Sequence, residues 1–320
     1  MSDNTKNTDE HEFKSAGGAA YVCDREYNEQ LFQEIPQADQ SFGDLYLTTQ
    51  PPLPSAWAQN IWLNPIWIEF DSIGDAARKL KSMQRNWFPY SPDSPNSPNM
   101  FRRTELIHKK LPPLKSKVRK FPFDLAKGPM GAFCLVNQNL MLASANTSSP
   151  FPGGKVAFEE NREEPPSRAY LKLWEALSLI GQHPKPGEKC LELGACPGGW
   201  TWVIGKLGAD VLAVDRSELA ENVSAMKTVE FSATNAFKIL PETHGPYDWI
   251  FSDLICYPDK LLEYVKKWTQ SGKCKRMICT IKFQGEQAPY EITKAFNEIP
   301  GSMVRHLNYN KHELTWIWQQ

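Results

Sequence analysis

The sequence predicts an α/β protein with a Rossmann-like, doubly wound and mostly parallel sheet in its second half and a smaller α/β region before it. The first observation is that apolar strand-like runs alternate with helical patterns from residue 167 onward: CLELGA, WTWVIGKLG, DVLAVD, TVEFS, WIFSDL, DKLLEYVKKW and MICTIK. The second is that the strand-like runs are apolar throughout, as parallel strands covered on both faces are. Together these features specify a sheet with helices on both sides.

Length and composition exclude several classes of protein. The 320 residues exceed one ordinary domain, and 41% hydrophobic with 23% charged residues is typical of a globular core. No apolar run approaches the roughly 20 residues that cross a membrane. The polar first 18 residues lack the apolar core of a secretory signal and predict a disordered tail.

Cysteine and histidine usage predicts a cytoplasmic protein without a metal site. The seven cysteines form no C-x-x-C pair, and the six histidines are scattered. Cys190, Cys256 and Cys279 lie inside apolar runs, where a free thiol behaves as a small hydrophobe. Free, buried thiols fit a reducing compartment.

The region before residue 144 divides into three predicted segments. The tail covers 1–18, and a small α/β unit covers 19–90, with strands at AAYVC, DLYLT and IWIEF and a helix capped by Asp71 or Ser72. Residues 91–143 begin with the linker SPDSPNSPN and end in a predicted hairpin of GAFCLVNQ and LMLASAN.

A basic stretch between residues 101 and 127 is the candidate RNA-binding feature of this region. Only Glu105 and Asp124 oppose nine basic side chains there: Arg102, Arg103, Lys109, Lys110, Lys115, Lys117, Arg119, Lys120 and Lys127. The stretch could hold a phosphate backbone or be a solvated surface. Nearby aromatic residues could stack on bases or pack in a core: Trp87, Phe88, Tyr90 and Phe101.

The most informative stretch is LELGACPGGW, residues 191–200, where a strand ends, a glycine turn follows and a helix begins. Candidate cofactor residues here are Glu192, Gly194, Ala195, Cys196, Pro197, Gly198, Gly199 and Trp200. Exposed N–H groups at a helix start can hold a carboxylate. Asp215, which ends the next strand, is placed to accept ribose hydroxyls of an adenosine.

This lining favours S-adenosylmethionine over a dinucleotide. Pro197 interrupts the G-x-G-x-x-G pattern, and the Glu192 carboxylate would repel a pyrophosphate. A ligand with an ammonium group, a sulfonium and one carboxylate suits the mixed charges better. A turn without a ligand is the simpler alternative for a glycine turn taken alone.

Several segments resemble the FtsJ-type RNA 2′-O-methyltransferases, within them the bacterial enzymes that methylate a cytidine of large-subunit rRNA. They are NTSSPFPGGKVAF, PPSRAYLKLWEA, LELGACPGGWTW, FSDLICYP and GKCKRMICTIKF. The resemblance covers 144–320 and implies a class I methyltransferase domain, S-adenosylmethionine as cofactor and rRNA as substrate. It also implies a ferredoxin-like domain for 19–90 and a THUMP-like RNA-binding region, shorter than a full domain, for 91–143.

The resemblance further implies a catalytic tetrad of Lys172, Asp253, Lys282 and Glu313. Lys172 lies in the predicted helix SRAYLKLWEALSLIG, for which Ser167 is the expected N-cap. Asp253 and Lys282 end apolar strands, at the sheet edge where ligands bind. Glu313 opens a strand, so it reaches the same edge only if that strand runs antiparallel, as a hairpin with SMVRHLN would make it.

These residues suit methyl transfer to a ribose hydroxyl, which is a poor nucleophile unless its proton is removed or held. Lys282 is expected to contact that oxygen, either as a base or by orienting the hydroxyl and stabilising its developing charge. Asn235 is expected to meet the adenine amino group, whereas core packing is the favoured role of Trp200. The alternatives are another acceptor, such as tRNA, and a non-catalytic RNA-binding assembly factor.

Overall fold

The computed structural model describes residues 13–35, 37–92, 98–114, 118–283 and 290–320. The chain forms two compact units. The first comprises residues 1–54, 58–117 and 125–156, and the second comprises 55–57, 118–124 and 157–320. None of the helices in the described ranges has the length and apolarity needed to cross a membrane.

The strands of the described residues are β1 Phe13–Ser15, β2 Ala19–Val22, β3 Gln40–Phe42, β4 Leu45–Thr48, β5 Asn60–Leu63, β6 Ile66–Glu69, β7 Trp87–Tyr90, β8 Val118–Arg119, β9 Gly131–Leu135, β10 Leu140–Ser144, β11 Asn146–Thr147, β12 Ala157–Phe158, β13 Lys189–Leu193, β14 Asp210–Asp215, β15 Val229–Ala233, β16 Tyr247–Ser252, β17 Cys274–Lys282, β18 Ser302–Arg305 and β19 Glu313–Gln319.

The α-helices are α1 Asn28–Glu34, α2 Ile73–Met83, α3 Pro98–His108, α4 Tyr170–Ile180, α5 Gly199–Lys206, α6 Glu221–Ser224, α7 Pro258–Ser271 and α8 Tyr290–Asn297. Short 3-10 helices cover Arg25–Tyr27, Pro152–Gly154 and Ala236–Lys238.

The first unit is built from two five-stranded sheets and helices. One sheet has the order β1-β6-β10-β9-β7 and the other β11-β5-β2-β4-β3. Successive side chains of β9 point to opposite faces of the first sheet. Phe133 packs with residues of α2 and α3, whereas Cys134 packs with Trp62 of the second sheet. The first sheet is therefore covered on both faces.

Several predicted elements of this region are confirmed. Ser72 caps α2 by accepting a hydrogen bond from the Asp75 N–H at 3.2 Å, and the hairpin of β9 and β10 is antiparallel as expected. Trp87 lies in the core, where its indole N–H donates to the Leu80 carbonyl at 3.0 Å. Core packing, rather than base stacking, is therefore the role of Trp87.

The boundaries of the two units differ from the boundaries of the predicted segments. Residues 66–69 pair with 140–143, so the segment 19–90 shares a sheet with the segment that follows it. Strand β11 pairs with β5, which places residues 146–147 in the first unit although the sequence assigned them to the catalytic segment. Phe13–Ser15, assigned to the tail, forms β1, and residues 1–12 and 93–97 lie outside the described ranges. The ferredoxin-like and THUMP-like assignments stay predictions.

The second unit contains the predicted doubly wound sheet. Its strand order is β15-β14-β13-β16-β17-β19-β18. Strands β13 to β17 run parallel, and β19 runs antiparallel to both β17 and β18. The prediction of a Rossmann-like sheet with a C-terminal antiparallel hairpin is therefore confirmed.

Helix α4 differs from its prediction at the N-terminus and in its burial. The predicted cap at Ser167 is wrong: α4 begins at Tyr170, and its N-cap Ala169 makes no side-chain hydrogen bond. All residues from Tyr170 to Ser178 are buried, so Lys172, expected off the apolar stripe, lies in the interior. A buried ammonium requires carboxylate partners.

The cysteines follow the expectation with one exception. Cys190 and Cys279 are buried in β13 and β17. Cys256, expected to be buried in an apolar run, lies half-buried in the loop after β16 because that strand ends at Ser252. The seven cysteines are all free thiols.

Glu175 ties α4 to the segment that leads into β19. Its two carboxylate oxygens accept hydrogen bonds from the N–H groups of Asn308 and Tyr309 at 2.9 and 3.0 Å. Since Glu175 lies one turn after Lys172, the same contact holds α4 near the start of β19.

We expect Glu175→Ala to lower the free energy of unfolding by about 1–3 kcal/mol, because it leaves these N–H groups without their acceptors. Urea unfolding followed by circular dichroism measures the change. Glu263→Ala, on the exposed face of α7, is the control and should change it by no more than about 0.5 kcal/mol. Equal effects of the two variants would contradict a stabilising role of the contact between Glu175 and the segment before β19.

Candidate active site

The four predicted tetrad residues meet at the carboxyl edge of the parallel strands. Lys172 comes from α4, Asp253 directly follows β16, and Lys282 ends β17. Glu313 begins β19, where it is the register partner of Lys282. Because β19 is antiparallel, the start of this strand lies at the same edge as the ends of the parallel strands. The expectation that Glu313 reaches this edge is confirmed.

The charged groups form one continuous chain of contacts. The Lys172 Nζ lies 2.7 Å from Glu313 Oε1 and 3.1 Å from Asp253 Oδ1. The Lys282 Nζ lies 3.1 Å from the same Asp253 Oδ1 and donates to the Asp253 carbonyl at 2.6 Å. Asp253 thus joins the two lysines.

The two lysines differ in access to solvent. The side chain of Lys172 is 9% exposed and that of Lys282 is 22% exposed. Burial lowers the pKa of Lys172, but Asp253 and Glu313 outweigh this effect and leave the pKa raised. Lys172 therefore stays protonated at neutral pH, and Lys282 is the lysine that a substrate can reach.

The glycine turn packs tightly against the loop after β16. Gly194 has a φ of +79°, and a Cβ there would lie 3.0 Å from the backbone of Leu254. Gly198 has a φ of +112°, and a Cβ there would lie 3.0 Å from Val223. Between them, Ala195 is buried, whereas Cys196 and Pro197 are exposed. Residues 196 and 197 are thus the part of the turn that a ligand can touch.

Asp215 lies beside this turn at the end of β14. Its Oδ2 accepts a hydrogen bond from the Cys196 N–H and its Oδ1 accepts one from the Ser217 N–H, both at 3.0 Å. A carboxylate has about four acceptor positions, so each oxygen of the half-exposed side chain can accept another donor. Asp215 can therefore bind two hydroxyl groups while it holds the turn.

Glu192 lies beneath the turn and is buried. The Thr201 hydroxyl of α5 donates to its Oε2 at 2.5 Å, and it makes no ion pair within the described part of the chain. Burial raises the pKa of Glu192 to about 8, against the lowering effect of the Thr201 bond and with a further rise caused by Asp253 and Asp215. Glu192 is thus largely protonated at pH 7 in the chain without ligand.

The remaining candidates are Trp200, Asn235 and Gly199. Trp200 is buried at the start of α5, packs edge-on against Phe251 and donates its indole N–H to the Ala169 carbonyl at 2.8 Å. These contacts support the favoured packing role. Asn235 is half-buried. Its side-chain oxygen accepts a hydrogen bond from the Phe237 N–H at 3.0 Å, and its N–H₂ group takes no part in that bond. Gly199 follows the turn as the first residue of α5.

Residues 165–286 match the family model of the FtsJ-like methyltransferases. The resemblance found in the sequence is confirmed. This matched range is called the FtsJ-like segment below. The matched range includes the glycine turn, Lys172, Asp253 and Lys282, and it ends before Glu313. The match supports S-adenosylmethionine as the cofactor of the FtsJ-like segment.

Curated relatives carry the name ribosomal RNA large subunit methyltransferase M. The relative from Histophilus somni strain 129Pt is 27% identical over 168 residues, which are 48% of this chain and 46% of that protein. The relative from Xanthomonas campestris pv. campestris strain B100 is 35% identical over 149 residues, 45% of this chain and 42% of that protein. The relative from Alkalilimnicola ehrlichii is 34% identical over 147 residues, 44% and 40% of the two chains. In each case the match spans less than half the length of the relative.

Two features of the FtsJ-like segment were not foreseen from the sequence. Thr201 holds the buried Glu192, and Leu254 closes against Gly194. The position of a threonine at the start of the helix after a glycine turn is a weak sequence signal for the Thr201–Glu192 bond. The sequence holds no signal for the packing of Leu254 on Gly194. Within the described residues, no group of three or more His, Cys, Asp or Glu side chains is arranged to hold a metal ion.

The raised pKa of Glu192 predicts a pH-dependent stability. The carboxyl group has an ordinary pKa of 4.5 and a pKa of about 8 in the folded chain, so the folded state binds more protons between these values. The contribution of Glu192 to stability is therefore fully present below about pH 4.5, falls as the pH rises from there to about 8, and is lost at higher pH. One step in pKa corresponds to about 1.4 kcal/mol, so the total loss amounts to a few kcal/mol.

We expect Glu192→Gln to remove most of this fall, because an amide does not ionise. Urea unfolding at pH 6 and pH 9 measures the difference in the free energy of unfolding. Glu230→Gln, an exposed change on β15, should leave the wild-type pH dependence in place. Parallel pH curves for the wild type and Glu192→Gln would show that Glu192 is ionised when folded.

Proposed function

We propose that this chain is an S-adenosylmethionine-dependent RNA ribose 2′-O-methyltransferase that acts on large-subunit rRNA. The observation that carries the proposal is the contact chain Glu313–Lys172–Asp253–Lys282 at the carboxyl edge of the sheet. Two carboxylates and two lysines that alternate in this way match the tetrad of the FtsJ-type enzymes, and the family match of residues 165–286 supports the same chemistry.

The residues around the glycine turn fit S-adenosylmethionine. Asp215 can accept both ribose hydroxyls of the adenosine through its unused acceptor positions. The edge carries the carboxyl groups of Asp215, Asp253 and Glu313 against the ammonium groups of Lys172 and Lys282, and this excess of acidic groups favours a cation. When bound, S-adenosylmethionine supplies an electrophilic methyl group on its sulfonium.

Lys282 is the residue that contacts the acceptor oxygen in this proposal. Its side chain is the more exposed of the two lysines, and Asp253 holds its ammonium group through a side-chain and a backbone contact. A fixed nitrogen at this place orients the hydroxyl for in-line attack and stabilises charge that develops on the oxygen. Lys172 stays protonated and keeps the Asp253 and Glu313 carboxylates together at the edge.

An RNA acceptor follows from the ribose 2′-hydroxyl, which DNA lacks. The predicted basic stretch supplies exposed cations in both units: Arg102, Lys109, Lys110 and Lys127 in the first and Lys120 in the second. Arg103 and Arg119 lie instead over the rings of Phe70 and Phe123, at 5.4 and 5.2 Å from the ring centroids. Lys115 and Lys117 lie outside the described ranges. The names of the curated relatives support large-subunit rRNA as the substrate.

Lys282→Ala is expected to reduce rRNA methylation at least about 100-fold, because the acceptor oxygen loses the group that holds it. The assay follows transfer of a radiolabelled methyl group to large-subunit rRNA from cells without this protein, and mapping locates the methylated ribose. Lys267→Ala, an exposed change on α7, should keep full activity.

Undiminished methylation by Lys282→Ala would contradict the assigned mechanism. An unchanged methylation map in cells with and without the protein would contradict rRNA as the substrate. An RNA-binding assembly factor without catalytic activity would give an unchanged map and no methyl transfer by the wild type itself.

Asp215→Asn is expected to weaken S-adenosylmethionine binding about 10- to 100-fold, since hydrogen bonds to a charged acceptor become neutral ones. Isothermal titration calorimetry measures the dissociation constant. Asp210→Asn is the matched control, because Asp210 is exposed at the opposite end of β14. Binding of NAD in preference to S-adenosylmethionine would overturn the cofactor assignment.

A further inference from the structure

The loop between Asp253 and α7 exposes two large hydrophobic side chains. Ile255 is 83% exposed and Tyr257 is 63% exposed. Within the described parts of 157–320, no other large hydrophobic side chain is as exposed to solvent. Scattered exposed apolar residues are common on proteins, but a pair two residues apart on a loop that begins at a tetrad residue marks a contact surface.

The loop is held in place rather than extended into solvent. Leu254 packs against Gly194 of the glycine turn, and the Tyr257 carbonyl accepts the first helical hydrogen bond of α7 from the Leu261 N–H at 3.2 Å. Pro258 follows at the first position of α7 and fixes the backbone there. Both ends of the loop are thus anchored, and its backbone loses little freedom when the exposed side chains bind a partner.

The loop also lies beside the reactive lysine. Burial raises the pKa of the half-buried Cys256 thiol, and the ammonium groups of Lys260 and Lys282 oppose that rise. The Lys282 Nζ also donates a hydrogen bond at 2.6 Å to the carbonyl of Asp253, the residue at which this loop begins. A substrate that brings an oxygen to Lys282 meets this loop.

We propose that Tyr257 and Ile255 form a platform for the base of the nucleotide whose ribose is methylated. The occupant is an unstacked base of single-stranded RNA, because Tyr257 offers an aromatic face and Ile255 an apolar one, and neither reads hydrogen bonds of a base edge. The proposal rests on the proposed function. Other aromatic side chains near the edge are engaged in the fold, since Trp200 packs on Phe251 and Phe237 on Tyr264.

The platform would position the nucleotide rather than take part in methyl transfer. Stacking on Tyr257 holds the base, and the ribose attached to it then presents its 2′-oxygen to Lys282. Loss of the ring should therefore raise the KM for RNA more than it lowers kcat, and it should leave S-adenosylmethionine binding unchanged. If Tyr257 had a purely structural role, its replacement would instead lower stability and cofactor affinity together.

The test compares Tyr257→Ala, Tyr257→Phe and Ile255→Ala in the full chain. Tyr257→Ala should raise the KM for large-subunit rRNA about 5- to 100-fold, the range expected from loss of one stacked base. Tyr257→Phe keeps the ring and should stay within about twofold of the wild type. Ile255→Ala should shift the KM in the same direction by less. Calorimetry should give one S-adenosylmethionine affinity for all variants.

Fluorescence anisotropy with labelled single-stranded RNA oligonucleotides provides a readout that does not need activity. Wild-type methylation with an unchanged KM in Tyr257→Ala would overturn the platform and leave the proposed function standing. If the wild type methylates no RNA, the proposed function fails, and equal oligonucleotide affinity of wild type and Tyr257→Ala then overturns the platform as well. Concentration-dependent self-association that is lost in Tyr257→Ala would assign the surface to a second copy and also overturn it.

Discussion

The buried ammonium of Lys172 is the constraint on which the arrangement of the four tetrad side chains depends. An unpaired charge in the interior is too costly to persist, so Lys172 requires both Asp253 and Glu313 within contact distance. This requirement joins α4, the end of β16 and the start of β19, which are far apart in the sequence. Asp253, once fixed in this way, holds Lys282 in turn. The most accessible member of the set therefore owes its position to the least accessible one.

The parts of the site that could be predicted from the sequence are those fixed by strand direction. Asp253 and Lys282 end parallel strands and so reach one edge, and Glu313 follows once β19 is antiparallel. The glycine turn could be predicted because its positive φ angles at Gly194 and Gly198 require glycine. Local pattern and sheet topology carry all of these positions.

Other features depend on packing between distant segments and could not be predicted. Ser167 has the residue type of a cap, but α4 begins three residues later at Tyr170. Periodicity placed Lys172 off the apolar stripe, whereas neighbours of α4 bury its whole circumference. Strand β11 belongs to the first unit because it pairs with β5, a partner more than 80 residues earlier in the chain. Glu192 was recognised as part of the turn, yet its burial against Thr201 depends on how α5 docks.

The pairing of β19 with β17 has a consequence for how this site can vary. Side chains of a strand alternate between its two faces, so a shift of one residue would turn Glu313 away from Lys172. The pairing of β17 with β19 is continuous from Lys282–Glu313 to Arg276–Gln319, and β18 pairs with the other edge of β19. An inserted or deleted residue that shifts this register would thus separate Glu313 from Lys172 without changing any tetrad residue. Strand register is itself a determinant of this candidate active site.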